Sequence, residues 1–167
     1  VMSFIDRNGN GRYDDLGQDA YTLGSERGAA YLSNVVNIGG ELFELEVDKT
    51  GASAKTRPYT GPTGTLAAPA PIDVKGELVS AVFTSGASSF NVAGQSKGVK
   101  VPAGQYTFAS GHVERGGETA AMSRGRMEPV EVAADATVTI AWGGPLVGEI
   151  DDPTVTKDKV TVQPNFY

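Results

Sequence analysis

The chain has 167 residues, 40% of them hydrophobic, with 22 glycines and 9 prolines; it has material for one large domain or two small ones and is not disordered throughout. A formal net charge of −6 and a pI near 4.8 count against nucleic acid and anionic membranes as partners. Cysteine is absent, which excludes a disulfide framework and thiolate metal sites, and no apolar run reaches the length of a membrane span.

In chain order the first feature is VMSFIDRNGNGRYDDLGQDAY, residues 1–21, where Asp, Asn and Gly crowd together. Val1 precedes Met2 and no signal peptide is visible, so the chain reads as a mature form or a piece cut from a longer polypeptide. SERGAAYLSN, residues 25–34, is the one predicted short helix, with Ser25 as its cap. NIGG, residues 37–40, is predicted to turn YLSNVV back into GGELFELEVDKTG. There Phe43, Leu45 and Val47 fall on one face of a strand, and Glu44, Glu46 and Asp48 on the other. RPYTGPTGTLAAPAPID, residues 57–73, reads as an inter-domain linker or a long wrapped loop, with a boundary near Ala68.

The second half reads as a run of strands. ELVSAVF (77–83), QYTFASGHVE (105–114) and TVTIAW (137–142) alternate, and SSFNVAG, GVKVP and EPVEV are shorter pieces between turn signals. Val138, Ile140 and Trp142 share a face and are predicted core. The expected fold is all-β: one or more β-sandwich modules behind an N-terminal Asp/Asn/Gly loop of calcium type. The expected division is an N-terminal β-domain over 1–67, an Ig-like sandwich over 68–150, and a strand or linker over 151–167 ending in VTVQPNFY.

The chemistry lies in DRNGNGRYDDLGQD, residues 6–19. Asp6, Asn8 and Asn10 alternate, Gly11 follows, and Asp14 and Asp15 come soon after, giving D-x-N-x-N-G-x-x-D. Calcium takes six to eight oxygens at about 2.3–2.6 Å, and alternate side chains of a tight loop can converge on one point. Glycine after the third ligand permits the bend, Arg12 would give its backbone carbonyl, and Asp14 stands at the ninth loop position. The twelfth position, where a bidentate carboxylate is expected, is Gly17, so Asp15 or Asp19 would complete the set. With one histidine and no cysteine, softer metals have little claim, and Ca²⁺ is the expected cofactor. The same residues also suit a metal-free Asx-rich turn.

This stretch resembles the calcium loops of dockerins, of thrombospondin type 3 repeats and of B-repeat domains in bacterial surface adhesins. GVKVPAGQYTF resembles the V-x-V-P-A-G-x-Y-x-F hairpin of carboxypeptidase-regulatory-like and Cna-B-type sandwiches. These resemblances imply a non-enzymatic structural module of a secreted or cell-surface bacterial protein, whose partners are calcium and other domains of a longer chain or a surface polymer. The competing expectation is a carbohydrate-binding or adhesion module, with an accessory domain of a hydrolase behind it.

Other motifs carry less. GQSKG, residues 94–98, fits G-x-S-x-G, but the alternating GVKVP after it leaves no helix to make Ser96 a nucleophile. His112, the single histidine, has no partner marked in the sequence. Glu44, Glu46 and Asp48 have the spacing of an acid pair, but strand charges facing solvent are the ordinary pattern. Tyr13, Tyr21, Tyr31, Tyr59, Tyr106 and Trp142 could stack on sugars.

Overall fold

In the computed structural model, residues 1–24, 28–68, 76–125, 127–140, 148–150, 154–157, 159–161 and 164–166 are described. None of the described residues is helical, and the fold is all-β, as expected. The first sheet runs β1 (Met2–Ile5), β2 (Ala20–Leu23) and β3 (Ala30–Tyr31), all antiparallel. The second runs β4 (Val35–Ile38), β5 (Glu41–Val47) and β6 (Ala54–Pro58). Gly39 and Gly40, at φ of 63° and 91°, make the two-residue turn between β4 and β5, which only residues free to adopt left-handed backbone close well.

The helix expected over 25–34 is corrected by β3. Residues 25–27 lie outside the described set, but Gly28 is a bend and Ala30–Tyr31 pair with Tyr21 and Ala20. Ala30 and Leu32 are buried on either side of the half-buried Tyr31, an alternation that a helix could not satisfy. A Cβ at Gly28 would lie 2.8 Å from the Val79 carbonyl oxygen, so tertiary packing overrides local propensity here.

β7 (Thr63–Ala67) lies inside the Pro- and Gly-rich stretch expected to be a linker or wrapped loop. It is followed by β8 (Glu77–Ser85), β9 (Ser88–Asn91), β10 (Val99–Pro102), β11 (Gly104–Arg115), β12 (Glu118–Met122), β13 (Val130–Val132) and β14 (Thr137–Thr139). One sheet has the order β12-β11-β8-β9, with β13 joined to the start of β11. The other has β7 in the middle, antiparallel to β10 and parallel to β14. The sandwich therefore draws its central strand in that sheet from residues 1–67. Inward side chains of both sheets meet in one cluster that includes Leu66, Phe83, Phe90, Val101, Tyr106, Phe108 and Ile140. Val138 packs against it, while Trp142 lies outside the described residues. The buried Tyr106 hydroxyl donates to the Pro102 carbonyl at 2.8 Å, and burial, reinforced by nearby Tyr59, pushes its phenol well above the usual value.

The sheet of β4 and β5 stands between two cores. Val35 and Leu42 belong to the sandwich cluster, whereas Val36 and Leu45 pack with Tyr21, Ala30 and Leu32 in a second cluster. Phe43 and Val47 join Leu45 there, as their shared face predicts, and Leu42 on the opposite face fills the other core. Strand periodicity thus lets one hairpin serve two hydrophobic clusters. β6 is exposed along its whole length, with Arg57 against Glu44 and Lys55 opposite Glu46, a charged edge that discourages further pairing.

Polar bonds, buried at Ser33, fasten the N-terminal sheets to β9 and the turn before it. The Ser33 hydroxyl donates to the Val35 carbonyl and accepts the Ser89 amide at 3.0 Å; Tyr31 N–H donates to Ser89 Oγ at 3.1 Å, and Asn34 N–H to the Ala87 carbonyl at 3.0 Å. Ser33→Ala would leave the buried Ser89 N–H without that acceptor, so it is expected to cost about 1–3 kcal/mol in a urea unfolding titration. Ser88→Ala, at an exposed bond to Asn34, should cost well under that.

Beyond the sandwich, β15 (Gly148–Ile150) pairs with β18 (Pro164–Phe166), and β16 (Thr154–Thr156) with β17 (Lys159–Thr161). Residues 151–167, expected as a strand or linker, thus hold three short strands.

Candidate metal centre

Residues 6–19 connect β1 to β2, and the loop is organised by its own side chains. Asp6 Oδ1 accepts the Gly9 amide at 2.7 Å and Asp6 Oδ2 the Gly11 amide at 2.8 Å. Asn8 Oδ1 accepts the Asn10 amide at 3.1 Å, and Asn10 Oδ1 the Arg12 amide at 2.8 Å. These successive Asx turns need sharp reversals, and Gly9 and Gly11 supply them at φ of 68° and 78°.

Asp15 is the point on which the Asn8 and Asn10 side chains converge. Its Oδ2 accepts Asn8 Nδ2 at 3.0 Å and Asn10 Nδ2 at 2.6 Å. The Asn8 bond first, then the Asn10 bond, holds its carboxyl below the ordinary range, with a further contribution from Arg12. Asp14 is turned elsewhere: both its oxygens accept from the Arg12 guanidinium, at 3.0 and 2.8 Å. Asp19 is 1% exposed and braces the loop from below, Oδ1 accepting the Arg7 amide at 3.3 Å and Oδ2 the Asp15 amide at 3.0 Å. Of the residues expected as ligands, Asn8, Asn10 and Asp15 are joined side chain to side chain, Asp6 holds the Gly9 and Gly11 amides, Asp14 shares the Arg12 guanidinium with Asp15, and Asp19 accepts the Asp15 amide. Among the described residues, no three His, Cys, Asp or Glu side chains are grouped to hold a metal ion. The oxygens at this loop are the carboxylates of Asp6 and Asp15, the carboxamides of Asn8 and Asn10 and the backbone carbonyls, a hard donor set that suits calcium. Against that, both carboxamides now present NH₂ to Asp15, and a cation would have to displace those bonds.

The chain matches no protein-family model, no curated protein and no solved structure.

Residues that the sequence did not mark tie this loop to the rest of the fold. Tyr13 N–H donates to the Lys49 carbonyl at 3.1 Å, and a Cβ on Gly51 would fall 2.8 Å from the Tyr13 ring, so ring and turn are in direct contact. Arg7 lies 4.8 Å from the centre of the Tyr31 ring, a cation–π contact with β3. The Gly17 amide donates to the Leu32 carbonyl at 2.9 Å. The turn under Tyr13 is itself capped by Asp48, which accepts the Thr50 amide (2.7 Å), the Thr50 hydroxyl (2.6 Å), the Ser53 amide (2.6 Å) and the Ser53 hydroxyl. The D-x-T-x-x-S spacing was the available signal, since Asx and Ser/Thr turns share it.

These bonds, Ser53 and then Thr50 foremost, hold the Asp48 carboxyl far below its ordinary value. As pH falls below the unfolded value of about 3.9, the unfolded chain binds this proton first, so the contribution of Asp48 is present above that pH and lost beneath it. Melting temperature is therefore expected to fall from pH 5 to pH 3, and Asp48→Asn should flatten that slope while lowering stability at pH 7.

The other candidates have structural settings. Ser96 sits in a turn that leads into strand β10. His112 does have a partner, Ser80 Oγ at 2.9 Å from Nδ1 across the β8–β11 pair, and Ser80 is buried. Glu44 meets Arg57, and Asp48 caps its turn. Tyr21 and Tyr106 are buried, and Tyr59 packs on the sandwich core. A cleft of about 550 Å³ between the N-terminal sheets and β10 is lined by Asn37, Gln95, Lys97 and Lys100. Asn37 is committed to the Lys100 carbonyl and the Gly40 amide.

Proposed function

We propose that this chain is a non-enzymatic, calcium-binding structural module of a secreted or cell-surface bacterial protein. The observation that carries the reading is the loop in which Asp6 gathers the Gly9 and Gly11 amides and Asn8 and Asn10 make successive Asx turns, with both carboxamides meeting at Asp15. Asp6, Asn8, Asn10, the Arg12 carbonyl and Asp15 would hold the ion. Asp14 remains with Arg12 and Asp19 remains a brace. The bound ion would supply positive charge between Asp6, otherwise held by the Gly9 and Gly11 amides, and Asp15, otherwise held by carboxamide NH₂ groups and Arg12. Through Tyr13 on the 48–53 turn, a fixed loop also fixes the β5–β6 hairpin, which is how a small site would stiffen the N-terminal sheets.

Binding to the folded state alone would stabilise it by about 2.7 kcal/mol at a hundredfold excess over Kd. With Gly17 in place of a bidentate carboxylate, Kd is expected in the 10⁻⁴–10⁻³ M range of extracellular modules or somewhat tighter. Millimolar calcium should raise the melting temperature and EDTA reverse it, and Asp6→Ala should remove most of the difference. Magnesium at the same concentration should do less, because it prefers a rigid octahedral site. If calcium leaves the melting temperature of the unaltered protein unchanged, the loop is only a set of Asx turns.

The carbohydrate-binding reading rests on the cleft beside β10, whose free polar groups include Gln95 and Lys97 but whose aromatic residues, Tyr21 and Phe90, are buried. Retention on a polysaccharide, lost on Lys97→Ala and indifferent to calcium, would favour it over the calcium module.

A further inference from the structure

Two Asn-Gly steps, Asn8-Gly9 and Asn10-Gly11, stand inside the loop, and the other asparagines, Asn34, Asn37, Asn91 and Asn165, precede Val, Ile, Val and Phe. We infer that Asn8 and Asn10 are sites of spontaneous deamidation in which the following glycine nitrogen is the nucleophile. In the reaction the Gly9 nitrogen loses its proton and bonds to Asn8 Cγ, the Cγ–Nδ2 bond breaks, and Nδ2 leaves as ammonia with that proton. Water then opens the cyclic imide at either carbonyl, giving aspartate or isoaspartate. Gly11 does the same to Asn10. The sum is carboxamide plus water to carboxylic acid plus ammonia, with no oxidant or reductant.

Structure favours the step at these positions in three ways. All of Asn8, Gly9, Asn10 and Gly11 are exposed, so water reaches the imide. A Cβ built on Gly9 or Gly11 meets nothing within 4 Å, so the glycine side of each step is uncrowded. Each asparagine is held in an Asx turn, at 3.1 and 2.8 Å, and the ring closed by that bond contains both Cγ and the glycine nitrogen, which keeps the side chain folded over its own attacking group. Two features oppose it: Asp6 accepts both glycine N–H groups, at 2.7 and 2.8 Å, which disfavours loss of their protons, and Asp15 holds both carboxamide NH₂ groups, at 3.0 and 2.6 Å, which restrains the side chains that must close the ring. The expected rate is therefore below that of the unfolded chain and above that of the other asparagines.

The product carboxylates can no longer donate to Asp15, and like charges would then surround it. If the calcium reading holds, on which this last consequence alone rests, an aged loop carrying aspartate at both positions should bind calcium more tightly than a fresh one. The test is to hold the metal-stripped full chain under mildly alkaline conditions and follow ammonia release and peptide mass. Mass gain at Asn8 and Asn10, split between aspartate and isoaspartate, is expected while Asn34, Asn37 and Asn91 stay intact. Gly9→Ala should slow Asn8 only, and Gly11→Ala Asn10 only. The inference is overturned if Asn8 and Asn10 stay unmodified over the time in which the same protein in urea loses most of those amides, or if Asn34 and Asn37 react as fast. A calcium arm separates the two readings: deamidation that proceeds equally with and without calcium leaves the modification standing and counts against the metal site.

Discussion

Leu66→Ala is expected to destabilise the protein by about 2–5 kcal/mol, lowering its melting temperature by roughly 5–15 °C. Leu66 is 0% exposed and lies on β7, between β10 and β14. Truncation removes its transfer free energy and leaves a cavity that the neighbouring sheet fills only in part. A residue of a solvated linker would cost within about 0.5 kcal/mol instead. The same substitution therefore tests whether the segment before residue 68 belongs to the sandwich. Val155→Ala, at a side chain 69% exposed on β16, is the control that should change little.

Phe83→Ala should cost about 3–5 kcal/mol, the largest effect expected of a single substitution here. Phe83 is fully buried in the middle of β8, and its ring meets Phe108 of β11 at 5.3 Å between centroids with the planes tilted by 60°. Such aromatic pairs contribute roughly 0.5–1.5 kcal/mol beyond their buried area. Phe83→Leu keeps most of the volume and should lose only a fraction of the full amount. Circular dichroism in urea would read both variants, and equal midpoints for Phe83→Ala and the parent would mean that the two sheets do not share this core.

Much of this architecture was legible because alternation reports burial directly. The runs at 77–83 and 105–114 became β8 and β11, and NIGG became the turn between β4 and β5. β7 was not legible: TGTLA is short, its inward residues are only Gly64 and Leu66, and the prolines around it read as punctuation. β3 reads locally as helix because Ala30 and Leu32 are good helix formers, and only their contacts with distant strands decide otherwise. In the loop, the alternation of Asp6, Asn8 and Asn10 was visible as a pattern. That Arg12 would take Asp14, and that Asp19 would be spent on the amides of Arg7 and Asp15, depends on how the chain folds back. No spacing rule encodes it. The turn capped by Asp48 carries a readable signal, but Asp48 also fits the alternation of β5 as an outward strand charge.

The central claim is that residues 6–19 bind calcium, and titration calorimetry of the metal-stripped protein addresses it most directly. Calcium up to several millimolar at neutral pH should give a saturable, single-site isotherm, which Asp15→Ala and Asp6→Ala each abolish and Asp14→Ala leaves largely in place. A flat isotherm for the unaltered protein, or binding that survives loss of both Asp6 and Asp15, would contradict the account.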